Sequence, residues 1–108
     1  MFDGIDVEWI KEKAKKNEFE LSGHAHKERQ EETISTWEIQ EALVECEILE
    51  SYPKDPRGPS CLAFGYAKER PVHVVCGRGK NDWLLIITVY ILRPPKWIDP
   101  KTRGGCEK

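Results

Sequence analysis

Apolar and polar residues alternate along this chain with two different periods, and the change comes about halfway. In the first half, Ile5, Trp9, Ile10 and Ala14 recur at helical spacing and predict a first helix over about 6–16. Phe19-Glu20-Leu21 alternates briefly, as a short extended segment would. From His24 to Glu32 nearly every residue is polar but a good helix former, with Glu28 one turn from both His24 and Glu32. That predicts a second helix with little apolar surface, lying outside or facing a polar groove. Ser35-x-x-Glu38 is a capping box, with Ile34 and Ile39 placed as its hydrophobic staple. The third helix it opens carries Ile39, Ala42, Leu43 and Cys46 on one face, suited to covering a sheet.

In the second half the period shortens to that of strands. Four are predicted, at 47–52, 60–67, 72–77 and 83–92, separated by turn-forming residues. The 53–59 link is proline-rich, and Arg78-Gly79-Lys80-Asn81-Asp82 is a basic loop. In the second strand Leu62, Phe64 and Tyr66 share one face, and Cys61, Ala63 and Gly65 the other. In the fourth, Trp83, Leu85, Ile87, Val89 and Ile91 form an apolar face expected to pack on the helices. Thr88 and Tyr90 lie on the opposite, partly open face. Short links make the strands a meander. The expected class is α+β: two or three N-terminal helices on a four-stranded antiparallel sheet.

Composition narrows the setting. A chain of 108 residues is long enough for one domain with one modest core, expected over about 5–98 with a flexible tail at 99–108. Trp97, after Pro94-Pro95, is expected to dock that tail. The net charge of −2 is not that of a domain wrapping nucleic acid, so RNA binding has to rest on a local basic patch. The longest apolar run, 83–92, is too short to span a bilayer, and residues 1–4 do not open a signal peptide. A cytoplasmic location with no membrane partner is the default expectation. Cys46, Cys61, Cys76 and Cys106 form no CxxC pair, and the histidines show no ligand spacing with them, so no metal or other cofactor is expected. The first three cysteines read as buried free thiols.

The ordered set His24-Ala25, Ile34-Ser35, Tyr52-Pro53, Pro59-Ser60-Cys61-Leu62, Gly65, Arg70-Pro71, His73-Val74-Val75, Ile87-Thr88-Val89-Tyr90 and Trp97 resembles the domain-of-unknown-function family numbered 4258. The likeness runs from about residue 19 to 105. It implies distant kinship with RelE-like and MqsR-like toxins, which cleave messenger RNA on a compact helix-plus-sheet scaffold. It also implies a zinc-finger or helix-turn-helix antitoxin as protein partner. Many members of that family carry an arginine where this chain has Glu28. Arg29 is adjacent, but points about 100° further round a helix.

Metal-free RNA cleavage needs a base, an acid and cations for the phosphorane charge. His24, His73 and Tyr90 are the candidates for proton transfer, with Arg29 as the catalytic cation. Arg78, Lys80 and Thr88 are candidates for substrate binding. Each has a plainer reading. His73 would be a core histidine bonded to a neighbour, and His24 a residue fixing a helix start. Tyr90 and Thr88 would be sheet packing, and Arg78 and Lys80 solvated loop cations. His26 points about 200° from His24 on a helix, so the two cannot share a metal there. Two functions follow as expectations. One is a toxin-like, metal-independent endoribonuclease whose His24, Arg29, His73 and Tyr90 converge on one sheet face. The other is a non-catalytic protein-binding domain related to toxin–antitoxin modules.

Overall fold

The computed structural model describes residues 5–56, 58–91, 97–99 and 102–103. Three helices come early: α1 (Val7–Lys15), α2 (Gly23–Glu32) and α3 (Thr36–Val44), with strand β1 (Phe19–Leu21) between the first two. Strands β2 (Glu47–Tyr52), β3 (Ser60–Ala67), β4 (Arg70–Arg78) and β5 (Leu84–Ile91) follow. Strands β6 (Trp97–Asp99) and β7 (Thr102–Arg103) form a two-stranded sheet of their own among the described residues. The expected docking of the Trp97 side chain, and most of the tail expected to be flexible at 99–108, lie outside the described residues.

The helix boundaries have local causes. Asp6 caps α1 by accepting from the Glu8 amide, and Ser22 caps α2 by accepting from the Ala25 amide. Ser35 and Glu38 close the capping box at α3: Ser35 Oγ accepts from the Glu38 amide, and Glu38 Oε1 accepts from the Ser35 amide. The α2–α3 corner turns through Thr33 in the left-handed region at φ 60°.

The sheet is larger and less uniform than the expected four-stranded antiparallel meander. It has five strands in the order β1-β5-β4-β3-β2, and β1 runs parallel to β5, pairing Phe19 with Leu84 and Leu21 with Ile86. Three alternating residues are too few for periodicity to reveal a partner more than sixty positions away. The meander itself is present as β2-β3-β4-β5, antiparallel throughout. The β3–β4 link is a two-residue hairpin, Lys68-Glu69, with both φ values positive (51° and 71°), so β4 starts at Arg70 rather than Val72.

The faces of β5 also differ from strict alternation. Val75 pairs with Thr88 but Cys76 pairs with Ile86, so Ile87 is an extra residue in a bulge. Leu84 and Ile86 are fully buried before the bulge, and Val89 after it. The helix-facing set is therefore Leu84, Ile86 and Val89. The expected apolar face was right from Val89 onward and inverted before it. An all-apolar run conceals such a shift, because either phase looks like a core face.

The core lies between this face and the helices. Ile10 and Ala14 of α1, and Ile39, Ala42 and Leu43 of α3, pack there with Cys61, Ala63, Val72, Val74 and Cys76 of the sheet. Gln40 donates to the Ala14 carbonyl at 2.7 Å and ties α3 to α1. At Gly65 the backbone of β3 lies directly against α3: a Cβ there would lie 2.0 Å from the Ala42 carbonyl oxygen. Cys46, Cys61 and Cys76 are buried free thiols, and Cys61 and Cys76 sit side by side on paired strands with sulfurs 3.9 Å apart. Burial pushes the Cys46 thiol up to about 12. Residues Leu62, Phe64 and His73 are buried on the other face of the sheet.

Candidate active site

Directly opposed residues on antiparallel strands point to the same side of a sheet. Phe64 opposes His73, and His73 opposes Tyr90. The three rings form a row across β3, β4 and β5 on the face away from the helices. Phe64 meets His73 edge-on at 5.6 Å between ring centres, and His73 meets Tyr90 at 5.4 Å. Tyr66, half exposed, extends the row from Phe64 at 5.1 Å. His73 Nδ1 lies 3.3 Å from the Tyr90 hydroxyl, which makes a hydrogen bond whose direction depends on the histidine tautomer. Thr88 opposes Val75, two residues along, and shares this face. His73, Thr88 and Tyr90 are thus on one surface. His73 itself is 0% exposed, while Tyr90 is half-buried.

His24 and Arg29 make their contacts elsewhere. His24 stands at the start of α2 with its side chain 66% exposed, and its Nε2 is 3.2 Å from Glu28 Oε2. The other oxygen of Glu28 accepts the Val89 amide at 3.0 Å, and Glu32 Oε1 accepts the Ile91 amide at 3.3 Å. Strand β1 stops opposite Ile86, and among the described residues no strand continues that edge. Helix α2 lies along it instead. Four helical residues advance about 6 Å, and two strand residues about 6.7 Å, so Glu28 and Glu32 match alternate amides of β5. Ser22 completes the edge, its amide donating to the Ile86 carbonyl and its Oγ to the Ile87 carbonyl. The polar helix does face a polar groove, and the groove is the open edge of a strand.

Arg29 is turned toward the α2–α3 corner, where Nη1 donates to the Ile34 carbonyl at 3.2 Å. Its Nε is buried and has no hydrogen-bond partner among the described residues. Arg78 stacks on the ring of Trp9 at 4.4 Å and forms an ion pair with Asp82. That pair lowers the Asp82 carboxyl, first through the hydrogen bond from Arg78. Arg78 therefore pins the loop before β5 onto α1. It also lines a cavity of about 200 Å³ with Ser22, Asp55, Gly77, Leu85 and Ile87. Lys80 is exposed in a single 3-10 turn, Lys80–Asp82. The structure brings together His73, Tyr90 and Thr88. It leaves His24, Arg29, Arg78 and Lys80 at other places.

Two features were not picked out from the sequence. Glu28 and Glu32 act as edge caps, and their signal was a four-residue spacing on a helix with no apolar face. Trp37 is 52% exposed on α3, with the Lys68 ammonium 4.3 Å above its ring. Its signal was a tryptophan displaced from the Ile39, Ala42 and Leu43 face. Among the described residues, no group of three or more His, Cys, Asp or Glu is arranged to hold a metal ion, and no helix is long and apolar enough to cross a membrane.

These features define a small α+β protein with a five-stranded mixed sheet and a histidine–tyrosine pair embedded in its outer face. A family model described as "Domain of unknown function (DUF4258)" matches residues 21–91, well over half of the chain, and the chain belongs to that family. The match begins at the end of β1 and ends at the end of β5, so it covers the edge-capping helix and the aromatic row. No curated protein and no solved structure matches.

Proposed function

We propose that this protein is a toxin-like, metal-independent endoribonuclease in which Tyr90 transfers the proton and His73 positions it. One observation carries the reading: the hydrogen bond between His73 and Tyr90 on the sheet face away from the helices. With the imidazole proton on Nδ1, His73 donates to the phenol oxygen. Tyr90 gives its phenolic proton to the 5′-oxygen leaving the phosphorus, while water takes the proton of the attacking 2′-hydroxyl and afterwards returns one to the phenolate. The histidine stabilises the phenolate that results. His73 has no exposed surface, so it acts through Tyr90 rather than on the substrate. Thr88, on the same face, is a neighbouring hydroxyl for substrate contact. A small antitoxin with a zinc-finger or helix-turn-helix domain is the proposed protein partner.

The test is cleavage by the purified protein of varied RNAs, free and ribosome-bound. Internal cuts leaving 2′,3′-cyclic phosphate and 5′-hydroxyl ends are expected. No cleavage of any of them would sink the reading.

A second reading has its own support. His73 is fully buried, and Glu28 and Arg78 are occupied by internal bonds, as in a non-catalytic protein-binding domain. That domain would hold a protein partner in a stable complex, and Tyr90→Phe would leave its affinity unchanged. A pull-down that returned RNA alone would argue against it.

A further inference from the structure

The acidic balance of the chain requires any RNA contact to use a local basic patch, and Arg78 does not supply it, being held by Asp82 and Trp9. Such a patch exists at the corner between α2 and α3. An open groove of about 480 Å³ runs there, lined by Arg29, Ser35, Trp37, Glu38 and Lys68 among others. Trp37 presents its indole to solvent, and Lys68 sits over the ring. The backbone of Lys68 is held in place by the Glu41 carboxylate, which accepts its amide at 3.3 Å. The one carboxylate in the groove wall, Glu38, is matched by Arg70 at 3.0 Å. With Arg29, Lys68 and Arg70 set against Glu38 and the adjoining Glu41, the groove carries a single net positive charge on a chain whose total is negative.

We propose that this groove binds one nucleotide of a single-stranded RNA, with the base stacked on Trp37 and its phosphate held by Lys68 and Arg29. An exposed aromatic ring beside cations is the arrangement that holds single strands, because every base has a π-face and every linkage a charge. The Arg29 Nε has no hydrogen-bond partner among the described residues, so an oxyanion that draws the guanidinium outward breaks no bond to them at that nitrogen. The groove adjoins the β3–β4 turn, and Arg70, beside that turn, is three residues from His73 along β4. The groove lies on the helix side and the aromatic row on the opposite face, so a strand leaving the groove reaches the row by passing round the β3–β4 turn. The inference deepens the ribonuclease reading and rests on it for the choice of RNA.

The test uses the full chain and a fluorescein-labelled 2′-O-methyl oligouridylate, which cannot be cut because its 2′-oxygen cannot attack. Binding is read by fluorescence anisotropy across a salt series. The wild type is expected to bind, with log Kd rising by about 0.7 per tenfold salt for each phosphate engaged. Trp37→Ala and Lys68→Glu should each weaken binding roughly ten- to hundred-fold, the range for losing one stacked base. Both side chains are exposed, so thermal unfolding should stay near wild type. Tyr90→Phe should bind as the wild type does. No binding by the wild type, or equal binding by the groove variants, would overturn the proposal. Binding that needs the groove in a protein that cuts no RNA would retire the ribonuclease reading and leave the groove standing. Cleavage with binding indifferent to Trp37 and Lys68 would do the reverse.

Discussion

Glu28 sits between two donors, the His24 imidazole at the start of its own helix and the Val89 amide of β5. As a departure from the family's usual arginine it looked like a lost cation. In place, it caps a strand edge that no strand among the described residues covers. Removing it leaves a half-buried amide without its acceptor, so Glu28→Ala should cost about 1–3 kcal/mol, measured by urea unfolding. Glu28→Gln retains a carbonyl oxygen for the amide and should lose clearly less. Equal losses for the two would assign the effect to charge rather than to the edge bond. The same position shows why the site was only partly legible. His73 and Tyr90 were readable as a pair of strand residues, and register then set them side by side. His24 and Arg29 were grouped with them on residue type alone. A helix 3.6 residues per turn gives no clue to which neighbouring element its side chains will serve.

At the scale of elements, α3 was the most legible part, because its start is written in four residues. The Ser35 amide bond holds the Glu38 carboxyl below its ordinary value, and the Arg70 charge adds to that. Stability from a lowered carboxyl is fully present above its unfolded value near 4.5 and fades as pH falls through the lower folded one. Ser35→Ala should cost about 1 kcal/mol by loss of the cap, whereas Glu38→Gln should lose the charge-dependent part, and its gap from wild type should narrow in acid unfolding curves below about pH 4. A gap that widened on acidification would contradict that assignment. Gly65 tests the packing of the same helix. Ala42 leaves no room for a side chain, so Gly65→Ala has to push α3 off β3. A loss of about 3 kcal/mol or more is expected by thermal unfolding. The least legible element was β5, where apolar residues on both sides hid the bulge at Ile87. The partner of β1 was equally hidden, because pairing over so long a separation leaves no local trace.

The whole molecule is a sheet with two unlike faces and two unlike edges. One face is a helix-covered core, and the other carries the aromatic row. One edge is capped by the carboxylates of α2, which explains why that helix can be so polar and still be held. The helices-then-strands order was enough to place the class, since the 3.6-residue pattern gives way to a two-residue one near Cys46. It could not supply function, because proton-transfer residues in a strand are spelled the same way as packing residues. The central proposal is that the Tyr90 hydroxyl, set by His73, moves the proton in RNA cleavage. Tyr90→Phe removes that hydroxyl and keeps the ring, and Tyr66→Phe is the matched control on the same face. The direct measurement is the single-turnover cleavage rate of one RNA by the wild type and both variants. Tyr90→Phe should fall by about 100-fold or more, the share a positioned proton-transfer group ordinarily supplies, with Tyr66→Phe near wild type. Cleavage by Tyr90→Phe at the wild-type rate would contradict it.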